Sequence, residues 1–147
     1  MMISALLLAV AASLPPPQHL PTILVRAPKA TLKLQIAKSE SERELGLMSV
    51  TDLPAHTGMV FVFDREAPIE FWMKDTLIPL DMVFVGANGN VRTIAADVPV
   101  VPTDTADDKI PRRSGFAQYV IELPAGEAAL DGIGPGTALR DLTVLHT

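Results

Sequence analysis

Apolar and polar residues alternate along most of this chain with a period of two, and short clusters of turn-forming residues interrupt the alternation. Thr31–Ala37 is the cleanest case. Leu32, Leu34 and Ile36 point one way and Lys33 and Gln35 the other, which predicts a half-buried strand. Ser39, with Glu42 three residues later, has the form of a capping box and predicts a short helix. That helix continues through Arg43, Glu44, Leu45, Leu47 and Met48, and Gly46 weakens its end. Residues 49–57 read as a loop. Residues 58–63 follow as a strand with Phe61 and Phe63 on one face and Val60 and Val62 on the other. Apolar residues on both faces predict a central strand covered on both sides.

Residues 64–68 read as a polar turn, and residues 70–75 resume extended structure. Period-two geometry there puts Trp72 and Lys74 on one face, Phe71 and Met73 on the other. Leu80–Val85 is the next strand, with Asp81 beside Val83 and Val85 and opposite Leu80, Met82 and Phe84. Asn88-Gly89-Asn90 predicts a type I′ hairpin turn, and residues 91–96 pair back. Residues 99–116 are long, polar and rich in Pro and charge, as in a lid or a disordered loop. Residues 117–123 read as a strand, 125–132 as one or two helical turns, 134–137 as a turn and 138–145 as a closing strand. About seven short strands with one or two short helices imply a mostly β fold. The expected architecture is a single-domain antiparallel β-sandwich or partly open barrel.

Composition narrows the function classes. A length of 147 residues suits one domain. A net charge of −5 with mixed signs leaves no broad basic footprint, so nucleic acid is not an expected partner. The chain has no Cys, which excludes disulfides, thiolate catalysis, thiolate metal sites and lipid attachment through an N-terminal Cys. The apolar run at 3–14 is too short to span a bilayer, which needs about 20 residues. It ends in small residues, Ala9-Val10-Ala11-Ala12-Ser13, that match a signal-peptidase pattern, although no Lys or Arg precedes it. A short membrane anchor or an unprocessed tail is the alternative. The expectation is an exported protein, periplasmic or secreted, with a signal peptide and Pro-rich leader at 1–21 and one β-rich domain at 22–147.

Trp72 beside Lys74 sets an aromatic platform next to a cation, which suits a sugar, a peptide or an aromatic ligand. The plainer alternative is a Trp packed under the long loop. Lys74 and Asp81 come close if their strands pair through the 76–79 connection. They would then be either an acid–base pair or a structural ion pair that pins the register. Asp75 and Thr76 either orient polar ligand groups or cap the turn. Met48, Met59, Met73 and Met82 are irregularly spaced and read as core filler rather than a copper site. His19, His56 and His146 are scattered without metal-ligand spacing, so no metal and no cofactor is expected. Neither a Gly-x-Ser-x-Gly elbow nor a phosphate-cradling loop is present.

The motifs Ser39-x-x-Glu42-Arg43-x-x-Gly46-Leu47-Met48, Gly58-Met59-x-Phe61-x-Phe63 and Phe71-Trp72-Met73-Lys74-Asp75-Thr76-x-x-Pro79-Leu80-Asp81-Met82 resemble a bacterial and archaeal family, domain of unknown function 192. Tyr119–Gly126 and Ile133-x-Pro135-Gly136 extend the resemblance to nearly the whole mature chain. Members commonly carry Arg shortly after the Gly-Leu-Met, where this chain has Ser49, Val50 and Thr51. The resemblance implies a mostly β fold, often exported, and no particular activity.

Three readings of function remain open on the sequence. One is a non-enzymatic binder of a small molecule or cell-envelope component at a face formed by Trp72, Lys74, Asp75, Thr76 and Asp81. Another is a hydrolase-like enzyme that uses Lys74 and Asp81. The third is a purely structural envelope protein. The absence of any recognisable His, Cys or activated Ser arrangement favours binding.

Overall fold

The computed structural model describes residues 14–146. Apart from Leu14, the stretch read as a signal peptide lies outside the described residues. Among the described residues no helix is long and apolar enough to cross a membrane.

The fold is mostly β, as the alternation implies. Six strands are present: β1 Thr22–Arg26, β2 Thr31–Ala37, β3 Thr57–Trp72, β4 Leu80–Val85, β5 Val91–Val98 and β6 Arg112–Pro124. They form one open sheet in the order β1-β2-β3-β6-β4-β5. The sheet is mixed rather than wholly antiparallel, because β2 and β3 run parallel. The reason is the connection between them. Residues 38–56 carry α1 (Glu40–Leu45) back across the sheet, and a crossover of that length permits parallel pairing.

Both faces of the sheet are covered, which explains the apolar residues on either side of β3. On one face Val60, Val62, Val83, Tyr119, Ile121 and Leu123 pack under α2 (Glu127–Leu130) and the C-terminal segment, through Ala128, Leu139 and Leu142. On the other face Met59, Phe61, Met82, Phe84 and Val120 pack under Leu47 and Met73. The alternation in β4 is borne out, with Val83 and Val85 in the first cluster and Leu80, Met82 and Phe84 in the second.

Local chemistry accounts for the ends of the elements. Ser39 caps α1, its hydroxyl accepting from the Glu42 N–H at 3.2 Å while Glu42 Oε1 accepts from the Ser39 N–H at 2.8 Å. The helix stops at Leu45 because Gly46 turns to φ +48. Ser39→Ala is expected to lower stability by about 1 kcal/mol in urea unfolding. The β4–β5 hairpin forms, but Gly89 alone in the Asn88-Gly89-Asn90 turn has positive φ, at +85, so the turn is not type I′.

Several expected boundaries move. Residues 64–68 are not a turn between strands: β3 is continuous, with a bulge that shifts its register on β6 between Val62 and Ala67. The long loop ends at 111, and Arg112–Phe116 instead pairs with the second half of β3. Residues 138–145 do not close the sheet as a strand. Arg140–His146 is a 3-10 helix, and the Leu139, Leu142, Leu145 spacing of three fits its three residues per turn. The edge strand β1 was not foreseen. It buries only Val25 fully and leaves Leu24 exposed, so its sequence carries little signal.

The residues before β1 pack against the end of α1. The Gln18 side-chain amide donates to the carbonyls of Glu42 and Gly46 at 2.8 and 3.0 Å; the Glu42 carbonyl also takes the Gly46 N–H, so Gln18 adds a second bond there at the end of α1.

Candidate functional site

The long β3–β6 pairing puts Trp72 directly across from Arg112, whose guanidinium lies 4.0 Å from the indole centroid. The Lys74 ammonium lies 5.2 Å from the same ring. Trp72 is half-buried and in contact with two cations. The chain turns sharply after Trp72. Asp75 adopts φ +50, and its carbonyl accepts from the Ser49 N–H at 3.0 Å. Thr76 is buried, and its hydroxyl donates to the Lys74 carbonyl at 3.0 Å. The Ser49 bond ties the Trp72–Thr76 turn to the segment that follows α1, and the Thr76 bond closes the turn on itself.

Between that turn and α1 lies an open cavity of about 280 Å³. Phe61, Phe63, Phe71 and Trp72 wall it, Arg43 and Lys74 stand among its lining residues, and Glu122 lines it from the sheet. The rings are fixed by edge-to-face contacts, with Phe71 centred 4.8 Å from Phe61 and 6.4 Å from Phe63. Arg43 lies 5.0 Å from the centroid of Phe63 and donates to the carbonyls of Lys38 and Val62.

Glu122 is the unusual group. It sits in the middle of the sheet, with Met59 across on β3 and Met82 across on β4. It is 5% exposed, and no hydrogen bond to its carboxyl is present among the described residues. Burial alone pushes its pKa from 4.5 up to about 8. The carboxyl is therefore mostly protonated at neutral pH, and it faces a cavity. Nearby, Gly58 permits the close approach of β3 and β6, since a Cβ there would lie 2.0 Å from the Glu122 carbonyl oxygen.

The structure gathers part of the site expected from the sequence. Trp72, Lys74 and Thr76 all line the cavity. Asp75 shapes the turn through its backbone and is not among the lining residues. Asp81 is elsewhere. It alternates with Leu80 and Met82 and faces the side of the sheet covered by α2, where it is 1% exposed. Its carboxylate accepts from the N–H groups of Asp97, Gly126 and Ala128 at 2.9, 3.0 and 2.9 Å. The expected Lys74–Asp81 pair does not form. Lys74 pairs with Asp107 instead, at 2.9 Å, which ties the 99–111 loop to the Trp72 turn. The connection through 76–79 places the two residues on opposite faces of the sheet.

Glu122, Arg112 and Asp107 were not singled out by sequence reasoning. A signal for Glu122 was present: it is the one charged residue in Tyr119–Leu123, in phase with Val120 on an apolar face. Arg112 and Asp107 carried none, because their roles depend on where the loop ends. A second cavity of about 400 Å³ lies between the leader and residues 49–54, but no buried titratable group lines it. Among the described residues, the one trio of His, Asp or Glu ligand atoms close enough to share an ion is His56, Glu127 and Asp131, at α2.

Comparison with known proteins gives kinship without an activity. No curated protein matches the chain. A crystal structure from Sinorhizobium meliloti 1021, described as that of a proposed transcription regulator, is similar at 32% identity and a TM-score of 0.69. The match covers 84% of this chain and 95% of that one. A protein of unknown function from Novosphingobium aromaticivorans DSM 12444 is similar at 32% identity and a TM-score of 0.67, over 88% of this chain and 92% of that one. A family profile described as "Uncharacterized ACR" matches residues 23–140, and the chain belongs to that family, domain of unknown function 192.

Proposed function

We propose that this protein binds a small amphipathic organic cation, with its apolar body among the rings of Phe61, Phe63, Phe71 and Trp72 and its charged head at Glu122. The observation that carries this reading is a buried carboxyl, without hydrogen-bond partners among the described residues, that lines an open, aromatic-walled cavity. Aromatic faces attract cations, and a carboxylate held in an apolar site gains most from a cationic partner. The balance of charge supports the choice of ligand. Glu40, Glu44, Glu70 and Glu122 line the cavity against Arg43 and Lys74. Both bases are already engaged, Lys74 with Asp107 and Arg43 with two carbonyls. A net charge of −5 supports a small cationic partner rather than a nucleic acid. The apolar run at 3–14, ending in small residues, supports an exported protein that meets its ligand outside the cytoplasm.

Binding of a cation is expected to expel the Glu122 proton. Affinity for an ammonium ligand should therefore rise about tenfold per pH unit from pH 6 to 8 and then level off. Emission of Trp72, the only Trp, reports this directly. The titration uses phenethylamine, with phenylethanol and phenylacetate as neutral and anionic matches, at pH 6, 7 and 8. The expected result is an amine response that grows with pH and is lost in Glu122→Gln. Equal responses to amine and alcohol, or a preference for the carboxylate, would overturn the ligand class. No response to any of the three would remove this support for a binding cavity of this kind.

A further inference from the structure

We infer a binding site for a first-row divalent metal ion of the zinc type at His56, Glu127 and Asp131, on α2 and apart from the aromatic cavity. Glu127 opens α2 and Asp131 follows its last residue. A separation of four residues puts both carboxylates on one side of a single helical turn. His56 comes from the residue before β3 and reaches the same point. The three ligand-type atoms lie within 4.8 Å of one another. His56 Nδ1 stands 2.8 Å from Asp131 Oδ1 and 3.5 Å from Glu127 Oε2. The Glu127 carboxylate is already oriented, because its Oε1 accepts from the His56 N–H at 2.7 Å.

The second observation concerns Asp131. It is 1% exposed, its Oδ1 meets only the His56 imidazole at 2.8 Å, and no N–H or O–H donates to its Oδ2. Buried polar groups rarely leave an oxygen unmatched, and a carboxylate whose one close partner is a half-exposed imidazole is costly beside a second buried carboxylate. A dication offsets both charges at once. One imidazole nitrogen with two carboxylate oxygens is a mixed donor set of the kind zinc and its neighbours accept. His56 has its side chain about half-exposed, at 51%, so an ion has an entry path and a position open to solvent.

The sequence hides this site because His56 and Glu127 are 71 residues apart and no local spacing links them. The competing account is a pair of carboxyls neutralised by a shared proton or by a protonated His56.

The test is calorimetric titration of chelator-treated full chain with zinc chloride and manganese chloride, paired with thermal melts. One ion per chain and a raised melting temperature are expected. Cobalt chloride should give visible absorption bands of a low-coordinate centre. Asp131→Asn and His56→Gln should each weaken binding roughly 100-fold or more. Asp131→Asn should also fold at least as stably as the parent without metal, which separates loss of the site from loss of the fold. The absence of binding in the parent would overturn the proposal in favour of the proton-neutralised pair. Undiminished binding in both variants would overturn it by assigning the ion to other residues.

Discussion

Raising the pH from 5 to 9 is expected to destabilise this protein, and Glu122→Gln is expected to remove most of that loss. The Glu122 carboxyl holds its proton up to about pH 8 in the folded chain, against an ordinary value of 4.5. Below pH 4.5 the group is protonated in both states and does not oppose folding. Between 4.5 and about 8 the unfolded chain has released the proton and the folded chain has not. Stability therefore falls as pH rises through this window and stops falling above it. Each pH unit in the window is worth about 1.4 kcal/mol, and the whole window is on the order of 5 kcal/mol. That is a large share of the 5–15 kcal/mol typical of a small domain.

Urea unfolding at pH 5, 7 and 9 checks this, read as the difference between parent and variant. The difference isolates Glu122 from Asp131, whose raised pKa tilts the curve the same way in both proteins. Asp141 interferes little. Its hydrogen bonds to Arg26 hold it at about 2, so its contribution is present above pH 4 and is lost only at more acid pH. Parallel pH profiles for parent and Glu122→Gln would show that the carboxyl is solvated in the folded protein. The argument for a ligand-seeking group in the cavity would then fail. An added ammonium ligand should flatten the parent profile above pH 7, because it binds the ionised form.

Much of this fold could be read in the chain because its strands obey period two and its turns carry Gly, Asn and Pro. Thr31–Ala37 and Leu80–Val85 have the bounds that alternation implies, and Ser39 and Glu42 mark the start of α1. The reading failed where a long-range partner overrides local character. Residues 64–68 look like a turn, yet pairing across the bulge keeps β3 intact. Residues 112–116 look like loop, yet they continue β6 against the second half of β3. Residues 138–145 alternate weakly, and their three-residue Leu spacing was the better guide.

The candidate site was half legible for the same reason. Trp72, Lys74 and Thr76 stand together in sequence and meet at the cavity. Glu122 reaches the same cavity only because β6 lies between β3 and β4, an order that the chain does not announce. Lys74 and Asp81 are close in sequence and belong to opposite faces, since the turn after Trp72 changes the direction of the chain.

That separation makes the other large effect. Asp81→Ala is expected to cost about 3–5 kcal/mol, while Lys74→Met is expected to cost less than about 1 kcal/mol. Asp81 is 1% exposed and holds three backbone N–H groups from two separate segments, one near the end of β5 and one around α2. Removing it leaves all three donors without an acceptor. It also frees Asp97 and Gly126 from left-handed conformations, φ +52 and +85, that these bonds help to hold. Four residues of α2 are too few to be stable alone, so the helix depends on this anchor. Zinc affinity at Glu127 and Asp131 should fall with it. Asp81→Asn should cost less, because one oxygen still serves Asp97 and Gly126, but its amide would face the Ala128 N–H donor to donor. Lys74 and Asp107 are both substantially exposed, at 35% and 58%, and solvent weakens their attraction. The two substitutions should therefore add. A double-mutant cycle read by urea unfolding is expected to give a coupling within about 0.5 kcal/mol of zero. A coupling well above 1 kcal/mol would mean that Lys74 and Asp81 act on each other in solution, and would restore the acid–base pair as a candidate for chemistry.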